Sequence, residues 1–238
     1  MPSPSVSSPL PIVLIPGLTC SARLYADQIP ALWRFGPVTV ADHTRDDSMM
    51  AIARRILAAA PPRFALAGLS MGGYISFEIM RQAPERVVKL ALLDTGARAE
   101  APEQTERRKV VIALAKSGRY AEVPDIAFPI YVHRNRHNDA ALKETVRIMM
   151  AETGVEAFLR QQAAIISRPD SRPSLGAIKC PTLVLVGDGD EATPPDLARE
   201  IAGAIGGARL EVIADCGHLS TLEQPKRVTA ALIDWMNW

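Results

Sequence analysis

A serine hydroxyl held at a tight turn, a histidine to take its proton and a carboxylate to orient that histidine together make a strong nucleophile. The chain offers each residue type in a suggestive place. Gly68-Leu69-Ser70-Met71-Gly72-Gly73 follows the apolar run Phe64–Ala67 and precedes a helical pattern containing Tyr74, Ile75, Phe77, Ile79 and Met80. This is G-x-S-x-G between a strand and a helix, the context the pattern needs before it signifies a nucleophile. A strand that turns at once into a helix forces the serine into a strained backbone conformation. Side chains at 68 and 72 would collide across that turn, so glycine is required at both. The hydroxyl then stands at the positive end of the helix, where a developing oxyanion is stabilised. The amide of Met71, directly after the serine, is one expected oxyanion donor.

Of the histidines His43, His133, His137 and His218, the last lies in Cys216-Gly-His-Leu-Ser, just after the apolar run Leu210–Ile213. That places it on a loop at the carboxyl edge of a sheet, the edge that also carries Ser70. Four carboxylates compete for the third role: Asp188, Asp190 and Glu191 after Val184-Leu-Val-Gly, and Asp94 after Leu92-Leu93. All four satisfy the order serine, acid, histidine, so order alone leaves the acid open.

Other constellations point elsewhere or nowhere. His133 and His137 have the i, i+4 spacing of paired ligands on a helix, but the glutamate of the zinc-protease pattern is missing and no third ligand follows, so no metal is expected. Arg134 and Arg136 between them could meet an anionic substrate. Cys20 could line the pocket, and Cys216 reads as a small buried residue. Neither G-x-G-x-x-G nor G-x-x-x-x-G-K-[ST] occurs, so no dinucleotide or phosphate-loop cofactor is expected.

The elements that must position these residues are short β-branched runs alternating with longer helical patterns. Strands are expected at Ile12–Ile15, Val38–Ala41, Phe64–Ala67, Val88–Leu93, Thr182–Val186 and Arg209–Ile213. Their near-continuous apolar character suits parallel strands covered on both faces. Helices are expected at Ser48–Ala60, Met71–Gln82, Pro194–Ala204 and Pro225–Met236, with Thr193 as a capping hydroxyl before the third of these. From about 101 to 173 no strand appears. Amphipathic segments at Glu103–Lys116, Asp139–Ala151 and Val155–Ile166, broken at Gly118, Pro124, Pro129 and Gly154, suggest a helical cap inserted before the last two strands. The expectation is therefore an α/β class chain forming one domain over 1–238, with a cap within it.

Composition agrees. A hydrophobic share of 48% and a charged share of 22% fit a globular protein, and a net charge of +1 gives no basic footprint for nucleic acid. No apolar run approaches the ~20 residues of a membrane span. The proline-serine start, Met1 to Pro9, lacks the basic and apolar regions of a signal peptide and reads as a lead-in to the first strand. Three widely spaced cysteines suit free thiols in a reducing compartment, hence a cytoplasmic location.

Ile15-Pro16-Gly17-Leu18, the Gly68–Gly73 run, Gly187-Asp-Gly-Asp190 and Gly217-His218 with Leu222-Glu223-Gln-Pro225 occur in family order across nearly the whole chain. In these pieces the chain resembles the α/β-hydrolase fold superfamily, close to its small esterase, enol-lactonase and cofactor-free haloperoxidase branch. The resemblance implies Asp190 as the acid, ahead of Asp188 and Asp94, and the amide of Leu18 as the second oxyanion donor. The chain departs from the commonest pattern in having Pro16-Gly17 where His-Gly is usual, and with only a few residues before Ile12 the two early edge strands of larger members are not expected. The resemblance implies a serine hydrolase for a small carboxylic ester or lactone, working without a cofactor. Carbon–carbon bond hydrolysis or perhydrolysis on the same triad, or a receptor that keeps the pocket for binding, are the alternatives. An aspartate-based dehalogenase is disfavoured by Ser70. The oligomeric state and the physiological substrate are left open.

Overall fold

Six runs rich in Val, Ile, Leu and Ala form the strands β1 (Ile12–Ile15), β2 (Val38–Val40), β3 (Phe64–Leu69), β4 (Val87–Leu93), β5 (Thr182–Gly187) and β6 (Arg209–Ile213). The computed structural model describes residues 9–238; residues 1–8 of the proline-serine start lie outside the described residues. The strands make one sheet in the order β2-β1-β3-β4-β5-β6, and every neighbouring pair is parallel. Parallel strands need crossover helices, which bury both faces of the central strands. Accordingly β1, β3 and β5 are buried at every position.

The edges differ from expectation. In sequence β6 is grouped with the near-continuously apolar, covered strands, yet Leu210 and Val212 are 38% and 42% exposed. Among the described residues it is an edge strand paired only with β5, and Arg209, Leu210 and Val212 are all exposed. β2, at the other edge, is only half-buried.

The helices are α1 (Ile29–Leu32), α2 (Met49–Ala59), α3 (Met71–Gln82), α4 (Pro102–Leu114), α5 (Val123–Tyr131), α6 (Ala140–Ile166), α7 (Pro195–Ala204), α8 (Ser220–Glu223) and α9 (Pro225–Asn237). α2 and α3 pack together, with α3 against β1, β3 and β4. α9 packs on α1 and against β4 and β6. After β1 the chain moves outward to β2, then crosses back to β3 on the other side of β1. The loops leaving β1 and β3 therefore diverge and open a crevice at the carboxyl edge, where ligands bind in open α/β sheets.

α4, α5 and α6 all lie between β4 and β5. α6 contains the expected break, since Gly154 has φ 77° and ψ 163°. α5 has no clear sequence signature because two prolines interrupt it. Pro124 occupies the first turn, where a missing N–H is harmless, and Pro129 falls two residues from the end. The Glu100 carboxylate, 1% exposed, pairs with Arg108 of α4 and with Arg168 just past α6, and so ties these two helices to each other through the loop before α4. Removing one partner of such a buried network typically costs about 3–5 kcal/mol, because a charge is left uncompensated. Among the described residues no helix is long and apolar enough to cross a membrane.

Candidate active site

Ser70 sits at the N-cap of α3 with φ 55° and ψ −113°, a conformation that costs of order 1–3 kcal/mol and persists only where its surroundings enforce it. They do so by close approach. A Cβ on Gly68 would collide with the Gly72 carbonyl, and one on Gly72 would collide with the Ile15 carbonyl of β1. The Ser70 carbonyl accepts from the Gly73 amide and from the Thr95 hydroxyl, both at 2.8 Å.

The Ser70 Oγ lies 2.8 Å from His218 Nε2, and His218 Nδ1 lies 2.8 Å from Asp190 Oδ2. The structure thus brings Ser70, His218 and Asp190 into one chain of hydrogen bonds. Asp190 Oδ1 accepts the amides of Ala192 (2.9 Å) and Thr193 (2.8 Å), and its Oδ2 accepts the Thr193 hydroxyl at 2.8 Å. In sequence Thr193 reads as the cap of the next helix. That helix instead starts at Pro195 with Pro194 as N-cap, and the hydroxyl turns inward to the carboxylate.

The loop carrying His218 is fixed by Glu223 of α8. Its buried carboxylate accepts the amides of His133 (2.8 Å), Gly217 (3.0 Å) and Leu219 (3.3 Å). The Tyr131 carbonyl accepts the amides of His218 and Leu219 at 3.0 and 3.1 Å. Burial acts to lower the His218 pKa, but the carboxylates of Asp190, Asp94 and Glu223 outweigh it, and the net direction is upward from 6.5.

The competing acids are placed elsewhere. Asp94, fully buried, accepts the Gly187 amide at 3.0 Å and the Ser220 hydroxyl, and burial pushes its carboxyl well above the ordinary range. Asp188 is exposed and accepts the Cys216 amide at 3.2 Å; Glu191 is exposed. Neither Asp94 nor Asp188 hydrogen-bonds His218.

Among the described residues, the amides of Leu18 and Met71 donate to no protein acceptor. They belong to the loop after β1 and to the first position of α3, on either side of the crevice. A narrow cavity is lined by Leu18, Thr19, Cys20, Tyr131, Val146, Met149, Met150 and Leu219 beside Ser70 and His218. Among the described residues no lysine or arginine lines it. Burial pushes the Cys20 thiol up to about 12, so it stays protonated at neutral pH. Cys216 is likewise buried with its thiol pushed up.

Arg136 is held by Asp139 and the Glu223 carbonyl, while Arg134 faces a separate groove beside Asp188 and Glu191, so neither reaches this cavity. His133 and His137 flank a single 3-10 turn, Arg134–Arg136, rather than sharing one face of an α-helix. His133 Nδ1 accepts the Asn135 amide. Three further polar residues serve the site although no sequence motif marks them for it: Thr193, His43 and Gln161. His43 Nε2 lies 2.9 Å from the Gly17 carbonyl, and Gln161 Oε1 accepts the Thr19 amide at 3.0 Å. Both of these partners are main-chain atoms far away in sequence, which no local pattern discloses.

The chain and its fold match a known group. The alpha/beta hydrolase family model aligns with residues 12–232, and the chain belongs to that family. BpoC of Mycobacterium tuberculosis, which carries the name of a non-heme bromoperoxidase, is 31% identical over 185 residues, covering 73% of this chain and 67% of that protein. The 2-hydroxy-6-oxo-6-phenylhexa-2,4-dienoate hydrolase of Comamonas testosteroni is 30% identical over 179 residues, covering 73% of this chain and 63% of the relative. This chain thus spans about two thirds or less of the length of these curated relatives. A thermophilic esterase from Thermogutta terrifontis superposes with a TM-score of 0.86 at 29% identity, over 96% of this chain and 89% of that one.

Proposed function

We propose that the chain is a serine hydrolase that cleaves a small, uncharged carboxylic ester or lactone through an acyl-enzyme on Ser70. The observation that carries this reading is the continuous relay Ser70 Oγ–His218 Nε2 and His218 Nδ1–Asp190 Oδ2, both at 2.8 Å. The likeness to the Thermogutta esterase supports it.

Ser70 Oγ attacks the carbonyl carbon while its proton passes to His218 Nε2. Asp190 accepts from Nδ1–H, holds the ring in the reactive tautomer and stabilises the imidazolium. The carbonyl oxygen gains charge and accepts from the Leu18 and Met71 amides, which raises the rate only because that charge develops in the transition state. The C–O bond breaks, Nε2–H protonates the departing alkoxide, and the acyl group stays on Ser70. Water then gives a proton to Nε2 and attacks the same carbon. Collapse of that intermediate returns the proton to Ser70 and releases the acid.

The aliphatic lining from Leu18, Val146, Met149, Met150 and Leu219 suits a short apolar acyl group, and the lack of a lysine or arginine among the described lining residues disfavours a carboxylate-bearing one. A panel of p-nitrophenyl esters from acetyl to decanoyl tests this. Turnover should peak at short acyl chains, fall for decanoyl, and vanish in Ser70→Ala. Undiminished turnover in Ser70→Ala would refute the reading.

A second reading has support from the relatives. The dienoate hydrolase and BpoC bear the names of a hydrolase of a 2-hydroxy-6-oxo-dienoate and of a non-heme bromoperoxidase. Interception of the acyl-enzyme by hydrogen peroxide instead of water would give a peracid on the same residues. Peracid formation that outruns ester hydrolysis would move the chain to that class. Tight ligand binding without turnover would make it a receptor.

A further inference from the structure

The residue after Ala41-Asp42 at the end of β2 turns into the protein rather than out of it. Asp42 Oδ1 accepts the Thr44 amide at 2.9 Å and the Thr44 hydroxyl at 2.6 Å, closing a turn that drives His43 inward until it is 2% exposed. Arg160 of α6 donates to the Thr44 carbonyl at 2.9 Å and pins the turn from above. His43 Nε2 ends 2.9 Å from the Gly17 carbonyl. A carbonyl only accepts, so Nε2 carries the hydrogen. Burial lowers the His43 pKa, which keeps the ring neutral.

The Gly17 carbonyl and the Leu18 amide belong to one peptide unit. That unit is planar and trans, so its C=O and N–H point in opposite directions. Fixing the carbonyl therefore aims the amide. The same carbonyl also accepts the Cys20 amide at 3.1 Å, and Gln161 holds the following Thr19 amide at 3.0 Å, with Thr19 at φ 58°. Two donors on the carbonyl also polarise the peptide and strengthen its N–H as a donor.

We infer that His43 is a positioning residue that aims and polarises the Leu18 amide at the substrate oxyanion by donating from Nε2 to the Gly17 carbonyl. It acts from the turn that follows β2, at a loop whose own Pro16-Gly17 sequence provides no polar side chain. It never touches substrate. This inference rests on the hydrolase reading above.

The test compares His43→Gln, whose terminal amide reaches as far as Nε2, with His43→Asn, which is polar but too short. Both keep a polar side chain at the turn, and matched melting temperatures show that both fold. His43→Asn should lose about 10- to 100-fold in kcat with KM within about twofold, less than the loss on deleting an oxyanion donor outright. His43→Gln should stay within about threefold of wild type on the same scale. A trifluoromethyl ketone, which forms a tetrahedral oxyanion on the serine, should bind His43→Asn more weakly by the same factor as kcat/KM, while the matching unreactive methyl ketone binds unchanged. Equal activity of the two variants, or equal weakening of both ketones, would overturn the inference and leave the hydrolase reading standing. Wild-type protein inert to esters and to a fluorophosphonate would bring down both.

Discussion

Two buried carboxylates stand at the carboxyl edge of the sheet, one strand apart. Asp94 comes directly after β4 and has φ 46°; Asp190 comes three residues after β5, beyond Gly187-Asp188-Gly189. Both are 3% exposed or less. Asp94 points sideways, where the Gly187 amide and the Ser220 hydroxyl occupy its two oxygens. Asp190 rides a turn long enough to reach His218, and its remaining lone pairs accept Ala192 and Thr193. One carboxylate thus sews β4 to β5 and α8, and the other is left with an oxygen for the imidazole. The length of the turn, rather than burial or proximity to the edge, separates the two roles.

The comparison is sharpest under isosteric amide substitution. Asp190→Asn should lower kcat by about 10⁴, the size of loss a serine protease suffers when the same substitution leaves its histidine in the wrong tautomer. Asp94→Asn, which can still accept from Gly187 and donate to Ser220, should change kcat by less than about tenfold, well below that tautomer effect. Steady-state kinetics on one short ester checks both, and a larger loss in Asp94→Asn would reverse the assignment. Thr193→Val removes the hydroxyl from Asp190 Oδ2 and should cost about tenfold in kcat, one hydrogen bond to a charged group at ~1.5 kcal/mol.

Stability should sort the pair the other way. Asp94→Ala orphans a buried amide and a buried hydroxyl, at about 1–3 kcal/mol each, which urea unfolding would read. The pH dependence carries a definite sign. The folded protein raises the Asp94 pKa above 3.8, so wild type loses stability as pH rises from that value through the folded pKa. Asp94→Asn has no such loss, and its melting temperature should gain on wild type as pH rises. For catalysis, His218 must be neutral to accept the Ser70 proton. With its pKa raised, the acid limb of kcat/KM should lie above 6.5, and activity should fall as pH drops through it.

What can be read from residue types alone follows the range of the interactions. The serine turn is legible because Gly68, Gly72, the preceding strand and the following helix are contiguous and impose the strain locally. The six strands and the long helices are legible for the same reason, through period and apolar runs. β6 misleads because Leu210 and Val212 look like core residues until the sheet is seen to end there. α5 is hidden by Pro124 and Pro129. Asp94 and Asp190 both follow apolar strands, so their difference is a matter of direction in space, and in sequence only the resemblance favours Asp190. His43 and Gln161 act on main-chain partners far away in sequence, whereas Thr193 meets Asp190 only three residues away and is hidden by a convincing but wrong signal as a helix cap.

The most direct test of the relay is the intact mass of the protein after exposure to a fluorophosphonate, with Ser70→Ala, Asp190→Asn and Asp94→Asn beside the wild type. Wild type and Asp94→Asn should each gain a single adduct quickly, Asp190→Asn should gain it far more slowly, and Ser70→Ala should gain none. An unlabelled, folded wild type, or an adduct that survives in Ser70→Ala, would contradict a nucleophile at Ser70 activated through His218 and Asp190.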